Sequence, residues 1–415
     1  MILLKTFHLC SSDEDCPLQD EISYQVNNHM KNSGLRYTKD YNNADFVILN
    51  TCGHIKDTLI RSMRAIEFYR KRCRTLIVVG CLPKIYSQKK TKKRVLFYPR
   101  DVKKIEKILG FSFDYTHIKR PYRRDFKFPL EKNLILRNAF AREFELNLTQ
   151  FYLNPFDFSF LKKLKPSRVK AFINKKPQKK FMDNSCYIRA CYGCLGNCTF
   201  CIEKKALGPL RSRNPKEIES ELLSGLSEGY EHFVIHAEDL GYYGEDINLN
   251  FVELLKFLLP ISDNYSVALT GLNPFGLLKN YNEFKKIIER YPHRFKRFLI
   301  PIQSGSDKIL KCMGRLPNSE KLISTLLEIK EITGAKIETI IIVGFPGETK
   351  TDFHATLNLI KKVGFDYIRI HSYSDIPGTQ ANTFPDKIPN KLLVQRVKKL
   401  IDIQKAYGQY GWSIK

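Results

Sequence analysis

Short apolar runs separated by amphipathic stretches divide the chain into two patterned regions. In the first, residues 2–7, 44–50 and 75–79 read as strands, and residues 17–32 and 57–72 carry the helical period. The alternation resumes at Cys186, with candidate strands at 186–190, 232–237, 265–271, 297–303, 337–343 and 367–373. Strands separated by helices imply parallel sheets covered by helices. Six regular units point to an open (β/α)6 partial barrel, whose functional groups sit at the C-terminal ends of the strands. The expected class is α/β, with a parallel-sheet domain over 1–110 and a barrel over 186–415.

Between them, residues 111–185 mix Lys and Arg with Phe and Tyr without a clean period, as in Tyr122-Arg123-Arg124-Asp125-Phe126-Lys127-Phe128. They read as a linker or an insertion. Such a mixture suits stacking on a single-stranded nucleic acid, and equally an irregular segment packed by its aromatics. Charge sharpens this only in part. Lys and Arg total 69 against 43 Asp and Glu, a net charge of +26. That suits a polyanionic partner, but solvated Lys-rich faces give the same excess.

Residues 1–20 contain Lys5, Asp13, Glu14, Asp15 and Asp20, so they lack the uncharged apolar core of a signal peptide. No later apolar run reaches the length of a membrane span. The expectation is a cytoplasmic protein without a membrane partner. Its eleven cysteines are then ligands, reactive thiols or packing residues rather than disulfides.

Cys10, Cys52 and Cys81 each fall just past an expected strand of the first region, at the edge where open parallel sheets bind ligands. Cys194, Cys198 and Cys201 follow the first barrel strand at the spacing Cx3Cx2C. Three thiolates so close in sequence can wrap a cubane cluster and leave its fourth iron open to a ligand. A structural zinc would take a fourth ligand, which Cys186 or Cys191 could supply. Both read otherwise as buried thiols, and Cys16, Cys73 and Cys312 as packing residues. His54, His236 and His371 lie near motifs, but a satisfied histidine is the commoner case, and none is assigned a role.

The triad, with Phe200 before its last cysteine, resembles the radical S-adenosylmethionine superfamily. Gly208-Pro-Leu-Arg-Ser-Arg213, Ala237-Glu-Asp-Leu-Gly-Tyr-Tyr-Gly-Glu-Asp246, Ile302-Gln-Ser-Gly-Ser306, Ile342-Val-Gly-Phe-Pro-Gly-Glu348 and Tyr373-Ser-Asp-Ile-Pro-Gly-Thr379 resemble its methylthiotransferase family in order and spacing. Thr6-Phe7 before Cys10, Asn50-Thr-Cys52 and Val79-Gly-Cys81 agree. Glu238 to Asp246 and Gly271-Leu-Asn-Pro274 look most like the branch acting on threonylcarbamoyladenosine beside the tRNA anticodon. Ile340 and Glu338 depart from the family pattern. The sequence also runs out after the sixth strand unit, without the small C-terminal TRAM β-barrel with which these enzymes commonly grip their substrate.

The resemblance implies a flavodoxin-like first domain, two 4Fe-4S clusters and S-adenosylmethionine. Cys194, Cys198 and Cys201 would hold the cluster that cleaves the cofactor to a deoxyadenosyl radical. Cys10, Cys52 and Cys81 would hold the cluster that carries the transferred sulfur, facing the first across the domain junction. Around the cofactor, Glu238 would meet its ammonium and Arg213 its carboxylate. Gln303 and Ser304 would meet ribose or carboxylate, and Val343, Gly344 and Gly347 would line the adenine. The implied reaction inserts a methylthio group at an unactivated C–H bond, with electrons from a donor such as flavodoxin or ferredoxin. The favoured substrate is tRNA; a protein or ribosomally made peptide is the alternative, and a non-catalytic cluster-bearing RNA-binding protein the remote one.

Overall fold

The computed structural model describes residues 5–11, 26, 27, 30, 34–53, 56–82, 95–97, 122, 123 and 185–406. Two compact units divide them, the first drawn from residues 5–97, the second from 122, 123 and 185–406. The first holds strands β1 (Thr6–Ser11), β2 (Arg36–Tyr37), β3 (Phe46–Thr51), β4 (Leu76–Gly80) and β5 (Val95–Phe97), with helix α1 (Lys56–Arg70). All pairings are parallel, in the order β2-β1-β3-β4-β5. That is the flavodoxin-like order, and its direction reverses between β1 and β3.

Alternation sets the two faces of this sheet. Phe7, Leu9, Phe46, Ile48, Ile77 and Val79 pack on one side, while Cys10, Val47, Leu49, Leu76 and Val78 meet Ala65, Ile66, Phe68 and Tyr69 of α1 on the other. Burial on both faces explains the nearly continuous apolar runs. The first strand begins four residues later than the apolar run at 2–7 suggests. Phe7 and Leu9 are fully buried, each contributing about 1.5–3 kcal/mol, and a one-residue slip would exchange the faces. Pairing from Phe7↔Phe46 to Ser11↔Asn50 fixes the register. Cys10 therefore lies inside β1 rather than beyond it, whereas Cys52 and Cys81 directly follow β3 and β4. Most of the helix expected at 17–32 lies outside the described residues.

In the second unit, β6 (Tyr122–Arg123), β7 (Cys186–Arg189), the short pair β8 (Cys191–Tyr192) and β9 (Arg211–Ser212), β10 (His232–His236), β11 (Ser266–Thr270), β12 (Phe295–Gln303), β13 (Lys336–Val343) and β14 (Tyr367–Ser372) follow in order. The main sheet runs β14-β13-β12-β11-β10-β7-β6. Its six strands from β7 to β14 are parallel neighbours in chain order. They are the six strands expected, within two residues at each end, and the sheet is open as expected. One feature differs: Tyr122 and Arg123, from the supposed linker, pair antiparallel with β7. The rest of that segment, from 111 to 184, lies outside the described residues.

Helices α2 (Glu203–Leu207), α3 (Pro215–Ser227), α4 (Phe251–Leu258), α5 (Pro274–Lys279), α6 (Tyr281–Arg290), α7 (Asp307–Cys312), α8 (Ser319–Thr333), α9 (Lys350–Val363) and α10 (Asn390–Ala406) connect and cover the strands. Their ends are written locally. Asn250 with Glu253 and Thr349 with Asp352 form capping boxes that start α4 and α9. Left-handed Gly334 and Gly364 close α8 and α9, returning the chain to β13 and β14. Among the described residues, no helix is long and apolar enough to cross a membrane.

Candidate metal centres

The Cx3Cx2C loop follows β8 and enters α2. Cys194, Cys198 and Cys201 are all partly accessible, unlike the buried Cys186 and Cys191 that precede them in β7 and β8. The Gly196 N–H donates to Cys194 Sγ at 3.1 Å. A Cβ on Gly196 would lie 3.1 Å from Cys194 Sγ and 3.8 Å from Cys198 Sγ, so both sulfurs flank one glycine. Cys201 N–H closes the turn on Cys198 O at 3.1 Å.

Two opposite charges bracket these thiols. Cys194 Sγ donates to Asp239 Oδ2 at 2.9 Å, and Arg315 Nη1 lies 3.4 Å from Cys198 Sγ. Asp239 is 2% exposed and its Oδ1 has no hydrogen-bond partner. Burial pushes its carboxyl up to about 6 against the opposing pull of Cys194, Arg315 and Asn273. Burial likewise pushes the Cys194 and Cys201 thiols far above their ordinary range, with Asp239 adding to it at Cys194 and Glu203 at Cys201. Thiols so held lose their protons when a cation arrives at the sulfur. Asp239 and Arg315 were not singled out by sequence, although Asp239 immediately follows the chosen Glu238.

The remaining expected residues divide. Glu238 pairs with the buried Arg189 at 2.8 and 2.9 Å, so its carboxylate is neutralised by the protein itself. Arg213 grips Glu221 with both terminal nitrogens and donates to Arg189 O at 2.9 Å. Burial opposes its charge and Glu221 more than offsets that. In this structure these side chains join β7, β10 and α3 to one another. The Ser304 hydroxyl faces Thr356 of α9 at 3.3 Å. Gln303 is different. It holds φ +79°, strained for a non-glycine, and its buried Oε1 has no hydrogen-bond partner.

At the end of β13, Val343 is a core residue. Gly344 N–H donates to Glu348 Oε2 at 2.9 Å, and a Cβ there would strike Leu393 of α10 at 2.6 Å. Gly347 N–H donates to Asp386 O at 3.0 Å. The turn is braced by Arg396, which donates to both the carboxylate and the carbonyl of Glu348. His236 sits edge-on to Tyr187, Cys73 is buried and Cys312 is exposed. His54 and Cys16 lie outside the described residues.

In the first unit, Cys10, Cys52 and Cys81 come from the neighbouring strands β1, β3 and β4, and all are buried. Cys52 is fixed from both sides by Ser62 of α1, which accepts its N–H at 2.9 Å and donates to its carbonyl at 2.5 Å. Cys81 N–H donates to Thr51 O at 2.9 Å. The Cys10 thiol lies 3.6 Å from Ile48 O. Among the described residues, no three His, Cys, Asp or Glu side chains close around one point. A cubane takes its thiolates at separate irons, and the placing of Cys194 and Cys198 about Gly196 suits that demand.

Residues 188–360 match the model of the Radical SAM superfamily, and residues 15–97 match that of the Uncharacterized protein family UPF0004. The tRNA-2-methylthio-N(6)-dimethylallyladenosine synthase of Clostridium botulinum is 27% identical over 94% of this chain and 79% of its own. The Ribosomal protein uS12 methylthiotransferase RimO of Pelobacter propionicus is 29% identical over 88% and 74%. The chain belongs to the radical SAM methylthiotransferase family.

It is an enzyme of this family, whose cofactors are 4Fe-4S clusters and S-adenosylmethionine. A second uS12 methylthiotransferase, from Thermodesulfovibrio yellowstonii, is 26% identical over 93% of the chain and 80% of its own. These relatives carry the methylthiotransferase family and not the threonylcarbamoyladenosine branch. The fold extends further. The radical S-adenosylmethionine methyltransferase TsrM from Kitasatospora setae, solved with cobalamin and a [4Fe-4S] cluster, superposes with a TM-score of 0.50 at 9% identity, covering 90% of this chain and 75% of that one.

Proposed function

We propose that this methylthiotransferase acts in the cytoplasm on tRNA, inserting a methylthio group at a C–H bond of a modified adenosine beside the anticodon. One 4Fe-4S cluster would be held by Cys194, Cys198 and Cys201, and the other by Cys10, Cys52 and Cys81. The observation that carries the cluster reading is the paired approach of Cys194 and Cys198 to Gly196 beneath the unpartnered Oδ1 of Asp239. When bound, a cluster with one open iron and S-adenosylmethionine supply the one-electron chemistry that side chains lack.

The chain's own work is positioning. Asp239 Oδ1 is a buried acceptor beside the cysteines and suits an ammonium, the role first given to Glu238. Gln303 Oε1 offers a second acceptor at the end of β12. The N–H groups of Gly344 and Gly347 are already engaged, so the turn at 343–347 offers shape more than donors. A flavodoxin or ferredoxin would deliver the electrons.

For the substrate, the net charge of +26 and the Clostridium botulinum relative favour tRNA. The uS12 methylthiotransferases, at comparable identity, support a second reading in which a protein or peptide is modified. Mass spectrometry of tRNA nucleosides from cells lacking the gene tests the choice. Loss of one methylthioadenosine species is expected. An unchanged profile, together with a gain of a thiomethyl mass on a protein substrate in vitro, would establish the second reading.

A further inference from the structure

Helix α7 ends in a turn, residues 312–315, that is fastened to the cysteine loop. Thr199 donates to it twice, from its N–H to Met313 O at 3.0 Å and from its hydroxyl to Cys312 O at 2.8 Å. Gly314, at φ +70°, comes so close that a Cβ would lie 2.7 Å from Asn197 O. Arg315 follows directly and is anchored at both ends. Its backbone N–H donates to Leu310 O at 2.8 Å, and Nη2 donates to Pro301 O of β12 at 2.7 Å. The remaining arm of the fork, Nη1, meets Cys198 Sγ at 3.4 Å. This is a fixed, permanently charged donor on a candidate cluster ligand. No other Lys or Arg is seen to donate to a sulfur of the triad among the described residues.

We propose that Arg315 is a positioning residue that sets the reduction potential of the cluster on Cys194, Cys198 and Cys201. The proposal rests on the cluster assignment made above. Reduction adds one electron, taken from a low-potential one-electron donor, and leaves the cluster with one more negative charge. A cation hydrogen-bonded to a ligand sulfur in a partly buried site attracts the more negative state more strongly. Hydrogen bonds to sulfur and local charge are the levers by which proteins move such potentials. Arg315 therefore makes the cluster easier to reduce. Asp239, on the other side at Cys194, acts in the opposite sense when charged, so the two residues bracket the potential.

The test uses the reconstituted full chain carrying Cys10→Ala, Cys52→Ala and Cys81→Ala, so that a single cluster titrates. Dithionite titrations followed by electron paramagnetic resonance compare this parent with Arg315→Met, Arg315→Lys and Lys311→Met, the last an exposed charge on α7. Iron content is expected to stay equal. At a fixed potential, Arg315→Met should reduce the reduced-to-oxidised ratio at least tenfold, a negative shift of 59 mV or more for one electron. Arg315→Lys should shift less, and Lys311→Met not at all. A potential in Arg315→Met equal to the parent's overturns the proposal. So does an equal shift in Lys311→Met, or loss of iron in both Arg315 variants, which would make the residue a loop brace alone. Iron content in Cys198→Ala separates the two levels. If it is retained, the cluster assignment fails and Arg315 with it; if it is lost while Arg315→Met keeps the parent potential, only Arg315 fails.

Discussion

Replacing Arg396 by Met tests the brace beneath the turn after β13. Glu348 and Arg396 side chains are 1% and 6% exposed, and Arg396 also covers the Phe353 ring at 5.3 Å. Met preserves most of that packing and removes the charge. The abandoned carboxylate must then remain ionised while buried, at a cost of about 3–5 kcal/mol, or take up a proton. Protonating a carboxyl of ordinary pKa about 4.3 at pH 7 costs about 3.7 kcal/mol, at 1.36 kcal/mol per unit. The smaller figure caps the loss. Burial already pushes Glu348 upward with Arg396 in place, and its removal pushes further. A raised folded-state pKa contributes stability below the unfolded value and loses it as pH rises. The Arg396→Met penalty should therefore be about 1 kcal/mol at pH 5 and about 3–4 at pH 7, climbing at up to about 1.4 per pH unit. Urea unfolding followed by circular dichroism at pH 5, 6 and 7 measures it. The Glu348→Gln/Arg396→Met double variant should lose this slope. A flat profile for the single variant, or a slope surviving in the double, refutes the reasoning.

Replacing either cysteine triad by alanine should lower the iron of reconstituted protein from about eight to about four atoms per chain, measured colorimetrically. Asp239→Asn should leave iron unchanged and weaken S-adenosylmethionine binding at least tenfold in equilibrium dialysis; unchanged affinity would remove Asp239 from the cofactor site. Gly314→Ala forces a left-handed alanine, costing about 1–2 kcal/mol, onto the Asn197 carbonyl; reconstitution should yield less iron bound to the second unit, read in the Cys10→Ala/Cys52→Ala/Cys81→Ala background. Asp352 is buried, which opposes its charge, but Ser306, Thr349 and Lys308 outweigh burial and hold its carboxyl well below the usual range. Its contribution is present above about pH 4 and lost as pH falls further, so Asp352→Asn should flatten the acid limb of the urea midpoint below pH 4.

Strands β10 to β14 were legible because their apolar runs are long, separated by capped helices and punctuated by left-handed glycines. The start of β1 was not, since the apolar run begins at Ile2 while pairing with β3 fixes Phe7 to Ser11, a long-range contact that no local pattern announces. Spacing alone drew attention to Cys194, Cys198 and Cys201, and the structure sets the first two about Gly196. Side-chain pairings were not legible: Glu238 and Asp239 are adjacent and both acidic, and only the structure shows that Glu238 pairs with Arg189 while Asp239 Oδ1 has no hydrogen-bond partner. The pairing of Arg213 with Glu221 of α3 is likewise visible only in the structure. Arg315 lies more than a hundred residues from Cys198, and nothing local in the sequence joins them.

The two cysteine triads impose different assembly schedules. Cys194, Cys198 and Cys201 occupy one short loop, so a nascent chain can present all three thiols almost as soon as they emerge. Cys10, Cys52 and Cys81 come onto neighbouring strands only when β1, β3 and β4 have paired, and in the paired sheet all three residues are buried. If this triad holds the second cluster, iron and sulfide have to reach it before those strands close. A carrier that delivers preformed clusters would find one site ready at synthesis and have to catch the other during folding.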